Sequence, residues 1–138
     1  MKKIGISVLA VAALGLLITA ALAAPVGTKD RQVKALAEPI LDNLMKGFNQ
    51  GDYAQFSKNF DQTMRETITE KNFQQVRDDL LKKWGKYKSK KFLGFLNQET
   101  YTIILWKAAF ADTKRDVLIK LVLSKSQDKI FVSGLWFE

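Results

Sequence analysis

Hydrophobic residues recur along this chain with two different periods, and the change from one to the other divides it into a helical half and a strand half. Val33, Leu36, Ala37, Ile40, Leu41, Leu44, Met45 and Phe48 fall three or four positions apart, which gathers them on one stripe of an α-helix. Pro39 lies inside this pattern. Its missing N–H predicts a kink rather than a break, because the apolar phase continues across it. Asn49-Gln50-Gly51 then ends the helix, and Asp52 is placed to cap a short second one carrying Tyr53, Phe56 and Phe60. Asp61 and Thr69 are positioned as two further caps. The second opens a helix with Phe73, Val76, Leu80, Leu81 and Trp84 on its apolar face and Gly85 as its stop.

After Gly85 the period falls to two, predicting strands over Tyr87–Leu96, Thr100–Ala111, Asp116–Ser124 and Lys129–Phe137. The polar turns Asn97-Gln98-Glu99, Asp112-Thr113-Lys114 and Ser126-Gln127-Asp128 are short, so neighbouring strands run antiparallel. In the third strand Val117, Ile119, Leu121 and Leu123 alternate with Asp116, Leu118, Lys120, Val122 and Ser124, and the first set is expected to face the helices. The second strand, Tyr101-Thr102-Ile103-Ile104-Leu105-Trp106, is apolar on both faces. That predicts a central strand whose second face meets a helix, a partner chain or a ligand. Gly134 interrupts the last strand and marks a bulge or bend that curls the sheet. The fold class is therefore α+β, with N-terminal helices packed against a curled four-stranded antiparallel sheet.

The first 23 residues follow neither period. Met1-Lys2-Lys3 precedes an uncharged apolar run from Ile4 to Leu22, and Ala21-Leu22-Ala23 before Ala24-Pro25 has the small-x-small form of a signal-peptidase site. Residues 1–23 thus read as an export signal cleaved after Ala23, residues 24–31 as a connector and 32–138 as the folded domain. The alternative is an uncleaved anchor, since about 20 apolar residues suffice to cross a bilayer. Export leads us to expect a periplasmic, secreted or cell-surface protein, and 115 residues after cleavage suit one domain with a real core. The chain has no cysteine, so packing rather than disulfides must hold it together. Its formal charge is +8; Lys2 and Lys3 are the only charges in the signal, which leaves +6 on the remainder and favours anionic partners.

Helices followed by a curled antiparallel meander resemble the cystatin-like, nuclear-transport-factor-2-like superfold, in which the sheet wraps a long helix into a cone. Asn49-Gln50-Gly51-Asp52-Tyr53, Phe56, Phe60-Asp61, Met64, Thr69-Glu70, Phe73 and Trp84-Gly85-Lys86-Tyr87 resemble an exported branch of that superfold, domain-of-unknown-function family 3887. The resemblance spans about residues 32–138. It implies the cone and, because back-to-back sheet dimers are common in the superfold, a homodimer. It implies no established chemistry.

Enzymes on this superfold place an aspartate, histidine or tyrosine inside the cone to move a proton. The chain has no histidine, which removes the commonest general base and metal ligand. Asp61, Tyr53, Tyr101 and Glu99 remain, and each has a structural role that suits it better: a cap for Asp61, a turn for Glu99, packing for the tyrosines. We therefore assign no catalytic residue. A small isomerase or cyclase using Asp61 or Tyr101 is the enzymatic alternative. No metal site is expected, as Asp78 and Asp79 point different ways on a helix. Nor is a cofactor, in the absence of a phosphate loop, serine elbow or dinucleotide fingerprint. Tyr53, Tyr101, Trp106, Phe110 and Trp136 are the candidate lining of a pocket for a small apolar ligand, with core packing as the plainer role. The group Trp106, Phe110, Phe131, Trp136 and Phe137 must put some members on the outer sheet face, where a patch would imply a partner. Lys82, Lys83, Lys86, Lys88, Lys90 and Lys91 crowd around Trp84, Tyr87 and Phe92. They are either guards of an exposed strand or a surface for anionic membrane or wall polymers. Export makes nucleic acid an unexpected partner. The reading favoured by the sequence is a non-catalytic exported binding domain acting through the cone pocket or the sheet face, with electrostatic adhesion as a further alternative.

Overall fold

The computed structural model describes residues 4–7 and 23–138. The body of the predicted leader, residues 8–22, lies outside the described residues. In chain order the elements are β1 (Ile4–Ser7), α1 (Asp30–Gln50), α2 (Tyr53–Phe56), α3 (Gln62–Thr67), α4 (Glu70–Trp84), β2 (Tyr87–Gln98), β3 (Tyr101–Phe110), β4 (Val117–Ser126) and β5 (Lys129–Phe137). All neighbours in the sheet are antiparallel, in the order β1-β5-β4-β3-β2.

Four helices followed by an antiparallel meander form the α+β architecture that the pattern predicts. The caps are where the polar residues put them. Asp52 accepts from the amide of Gln55, Asp61 from Met64 and Thr69 from Asn72, at 3.1, 2.8 and 3.3 Å. Each satisfies a donor that the first helical turn leaves free. The helix α1 runs as one element through Pro39, which is exposed, so the carbonyl left without a partner faces water. At the far end Arg77 of α4 donates to the carbonyls of Phe48 and Asn49, at 2.6 and 2.9 Å. These are acceptors that a helix C-terminus cannot pair internally. Asn49 in turn exchanges two hydrogen bonds with the backbone of Tyr87 and so ties α1 to the start of β2. Gly47 is a requirement of packing: a Cβ there would stand 2.5 Å from the amide nitrogen of Phe56, so α1 and α2 touch backbone to backbone.

The inner face of the sheet carries Ile104, Trp106, Ala108 and Phe110 from β3, Val117, Ile119, Leu121 and Leu123 from β4, and Leu135 and Phe137 from β5. These meet the stripe Val33, Ala37, Leu41, Leu44, Met45 and Phe48 of α1 in one core. Phe48 packs edge-on against Phe110 and tilted against Phe137, with centroids 6.3 and 6.2 Å apart, within the range favoured by aromatic pairs.

The sheet bends where residues are inserted. Register shifts place extra residues at Lys88 and Leu93 in β2 and at Ser133 in β5, so the predicted irregularity near Gly134 is a bulge one position earlier. Gln127 and Asp128 both have positive φ, 52° and 64°, as the two-residue turn between β4 and β5 requires.

Two differences from the sequence reading are structural. The connector is not free: Ala24 pairs with Lys125, and the amide of buried Val26 donates to Thr102 Oγ1 at 2.9 Å. An apolar side chain at 26 and a paired backbone at 24 make it part of the domain. The sheet also has a fifth strand, because Ile4–Ser7, within the predicted leader, pairs with Phe137–Gly134. Four extended residues suffice to satisfy an open edge, and no local period announces them.

Candidate functional site

Alternation along β3, β4 and β5 sends a second set of side chains to the face of the sheet away from the helices. Cross-strand register sorts them into rows: Ile103 beside Val122 and Gly134, and Leu105 beside Lys120 and Trp136. Tyr101 and Phe131, at the turn end, and Leu96 of β2 complete this outer face.

A depression of about 520 Å³ opens here, lined by Gln98, Glu99, Tyr101, Ile103, Lys120, Val122 and Trp136. Its shape depends on Gly134. A Cβ at that position would lie 3.0 Å from Cζ3 of Trp136 and 3.2 Å from Val122, so the absence of a side chain is what lets the indole lie flat across the strand. The ammonium of Lys120 stands 4.5 Å from the Trp136 ring centroid, close enough for a cation–π contact. At the other end, Tyr101 holds its proton more tightly than an ordinary phenol. Burial raises its pKa most, followed by the negative charges of Asp61 and Glu99. The arrangement is an apolar floor with the Tyr101 hydroxyl, Gln98 and the Glu99 carboxylate at one end and a cation at the other. It contains no nucleophile paired with a base.

Asp61 is occupied next to this face. One carboxylate oxygen caps α3, and the other accepts from Ser133 Oγ at 2.8 Å, with Ser124 Oγ a further 3.2 Å on. The buried polar side chains of the domain are Ser57, Thr102, Ser124 and Ser133, none of them a carboxylate. Among the described residues no group of three or more acids comes together to hold a metal ion.

The five predicted pocket residues separate. Tyr101 and Trp136 line the outer depression. Trp106 is 0 % exposed and Phe110 3 %, because β3 points both of them into the core under α1. Tyr53 packs against Phe73, and its hydroxyl donates to the carbonyl of Ile68. The pocket-lining assignment of Tyr53, Trp106 and Phe110 is thereby corrected to core packing. Of the six lysines, Lys82, Lys83, Lys86, Lys88 and Lys91 are exposed. Lys90 points to the helix side and pairs with Asp42 at 2.6 Å. It leaves the candidate anionic surface, since β2 turns alternate residues toward α1.

A second polar cluster escaped the sequence reading. Glu38 accepts from the Trp106 indole at 3.3 Å, Asp42 pairs with Lys90, and the Tyr87 phenol feels both carboxylates. Burial above all, then the carboxylates of Asp42 and Glu38, push the Tyr87 phenol up to about 12. Glu38 and Asp42 are four apart on one face of α1, a signal that was legible but had no visible partner. Lys120 and Val122 were likewise visible as outward residues of β4, but their placement beside Trp136 was not.

Comparison with curated proteins finds no match, and comparison with solved structures finds none either. The family model described as "Protein of unknown function (DUF3887)" matches residues 42–129, from the second half of α1 to the start of β5. With well over half of its length covered, including the caps, the Trp84-Gly85 helix stop and the strands β2 to β4, the chain belongs to this family.

Proposed function

We propose that this is an exported, non-catalytic binding domain that works through the outer face of its sheet and takes a small apolar ligand bearing an anionic group. The observation that carries the reading is the depression in which Ile103 and Val122 form a floor between Tyr101 and Trp136, with Lys120 alongside. A concave, largely apolar surface with a few polar groups is the usual form of a small-molecule site. The cone interior is a poorer candidate, because its aromatic residues are spent on the core. The enzymatic alternative has less support, because Asp61 is bonded to Met64 and Ser133, and Tyr101 lies on the outer face.

Anilinonaphthalene sulfonate, an apolar probe with one anionic group, tests this directly. Trp136 is partly exposed, whereas Trp84 and Trp106 are buried, so quenching of its indole reports occupancy. Ile103→Glu puts a carboxylate on the floor and should weaken binding at least about tenfold, roughly 1.4 kcal/mol. Lys120→Gln should weaken it less. Unchanged affinity in a folded Ile103→Glu variant refutes the site.

A second reading, adhesion to anionic surfaces, is favoured by Lys82, Lys83, Lys86, Lys88 and Lys91. All five are exposed, and none has a carboxylate within 4.0 Å among the described residues.

A further inference from the structure

The two edges of the sheet are built differently. The β2 edge carries Lys86, Lys88 and Lys91 at or beside its start, inserted residues at Lys88 and Leu93, and Gly94 at φ 157°. Charge and irregular backbone of this kind prevent a strand from pairing with a stray one. The β5 edge has no such protection. Its last stretch, Gly134-Leu135-Trp136-Phe137, is uncharged and regular after the bulge at Ser133.

Hydrogen bonding shows which of its groups face outward. Glu138 exchanges two bonds with Leu118 of β4, at 2.7 and 2.9 Å. Because antiparallel ladders alternate, Leu135 and Phe137 direct their N–H and C=O groups away from β4. Val132, on the other side of the bulge, points the same way, and its groups are bonded to Asn59 and Asp61. Those of Leu135 and Phe137 meet Ile6 and Ile4 of β1. The edge is thus closed by a strand that lies wholly within the predicted leader. Removal of that leader leaves four backbone groups open in an uncharged, apolar stretch.

We infer that the β5 edge is a strand-docking surface, and that in the processed protein a second copy of this chain occupies it, joining the two sheets edge to edge. The inference rests on leader removal but not on the ligand site. An antiparallel edge is complementary to itself about a two-fold axis. With the axis at Trp136, Leu135 lies opposite the partner's Phe137, both with outward backbone groups and both with side chains on the core face. The two Trp136 residues then face one another as a non-hydrogen-bonded pair. Charge selects this contact over a back-to-back dimer. The outer face carries Lys91, Lys107 and Lys120, and stacking two such faces would oppose like charges. At the edge the paired residues are neutral until Glu138.

The test uses protein recovered from cells that export it. Intact mass first reports the N-terminus; a chain that still carries its leader overturns the inference at its first step. For the processed chain, native mass spectrometry should show a dimer, and a monomer overturns the inference. The absence of cysteine allows a clean cross-linking map. Trp136→Cys should oxidise to a covalent dimer, because Cα atoms about 4.5 Å apart in such a pair fall within disulfide reach. Leu96→Cys, 53 % exposed on the outer face, should form no covalent dimer under the same conditions. Cross-linking through Leu96→Cys and not Trp136→Cys would place the dimer on the sheet face and refute the edge. Trp136→Lys should dissociate the dimer by opposing two ammonium groups, while Trp136→Phe keeps it.

Discussion

Replacing Asp61 with alanine separates a capping residue from a chemical one. The substitution removes two hydrogen bonds: the cap to the Met64 amide at 2.8 Å and the bond from Ser133 Oγ at 2.8 Å. Loss of an N-cap acceptor typically costs about 1 kcal/mol. The second loss would be larger if it stranded Ser133, which is buried, but Ser124 Oγ remains 3.2 Å away as a partner. That holds the second cost to about 1 kcal/mol as well. The expected total is roughly 2 kcal/mol, or a fall in Tm of about 8 °C for a domain of this size. Asp61→Asn keeps a side-chain oxygen in the capping position and should lose no more than about half as much. Urea and thermal unfolding followed by circular dichroism measure both variants. Because the Asp61 charge is one of the causes that raise the Tyr101 pKa, Tyr101 should also ionise at lower pH in either variant. An Asp61→Ala protein as stable as its parent would refute the capping argument. It would also reopen a functional role for the carboxylate.

Two further outcomes follow from the electrostatics. Tyr87 has a folded pKa raised to about 12 against the ordinary 10, so its contribution is complete below pH 10 and is lost as pH rises from there through about 12. The urea midpoint should therefore fall between about pH 9 and about pH 11, and fall less in Tyr87→Phe; identical slopes would rule the phenol out as the cause. Binding to phosphatidylglycerol vesicles, if the lysine surface acts in adhesion, should disappear in the quadruple variant of Lys82, Lys83, Lys88 and Lys91 to glutamine and weaken with salt. Lys90→Gln should leave it unchanged while loosening the contact with Asp42, and binding that survives the quadruple variant excludes adhesion through these residues.

Local rules were sufficient for everything that depends on a residue and its near neighbours. Asp52, Asp61 and Thr69 cap the helices they precede because a side-chain oxygen and an amide three residues on need no other part of the chain. The strands follow from a period of two, and α1 from a period of 3.6, because each element must turn one face to a common core. The predicted core stripe of α1 is buried at Val33, Ala37, Leu41, Leu44, Met45 and Phe48, while Leu36, at its margin, is 38 % exposed. The two-faced apolar character of β3 also pointed to its place between two other strands.

Long-range pairing was decided only by the tertiary structure. Lys90 and Asp42 are 48 residues apart, Trp106 and Glu38 68, Ser133 and Asp61 72, and Val26 and Thr102 76. No periodicity relates members of such pairs. Whether an aromatic residue lines a site or fills the core was equally hidden: Trp106 and Trp136 occur in similar strand contexts, yet one lies under α1 and the other across Gly134. Side-chain alternation states that successive residues face opposite sides of a sheet, but register and the position of each bulge determine which neighbours they meet there. The sequence alone thus determined the elements, their caps and the two faces of the sheet. Closure of the sheet around α1 determined the depression, the paired lysine and the contrast between an edge guarded by lysines and one closed by β1, because those properties belong to residues that only folding brings together.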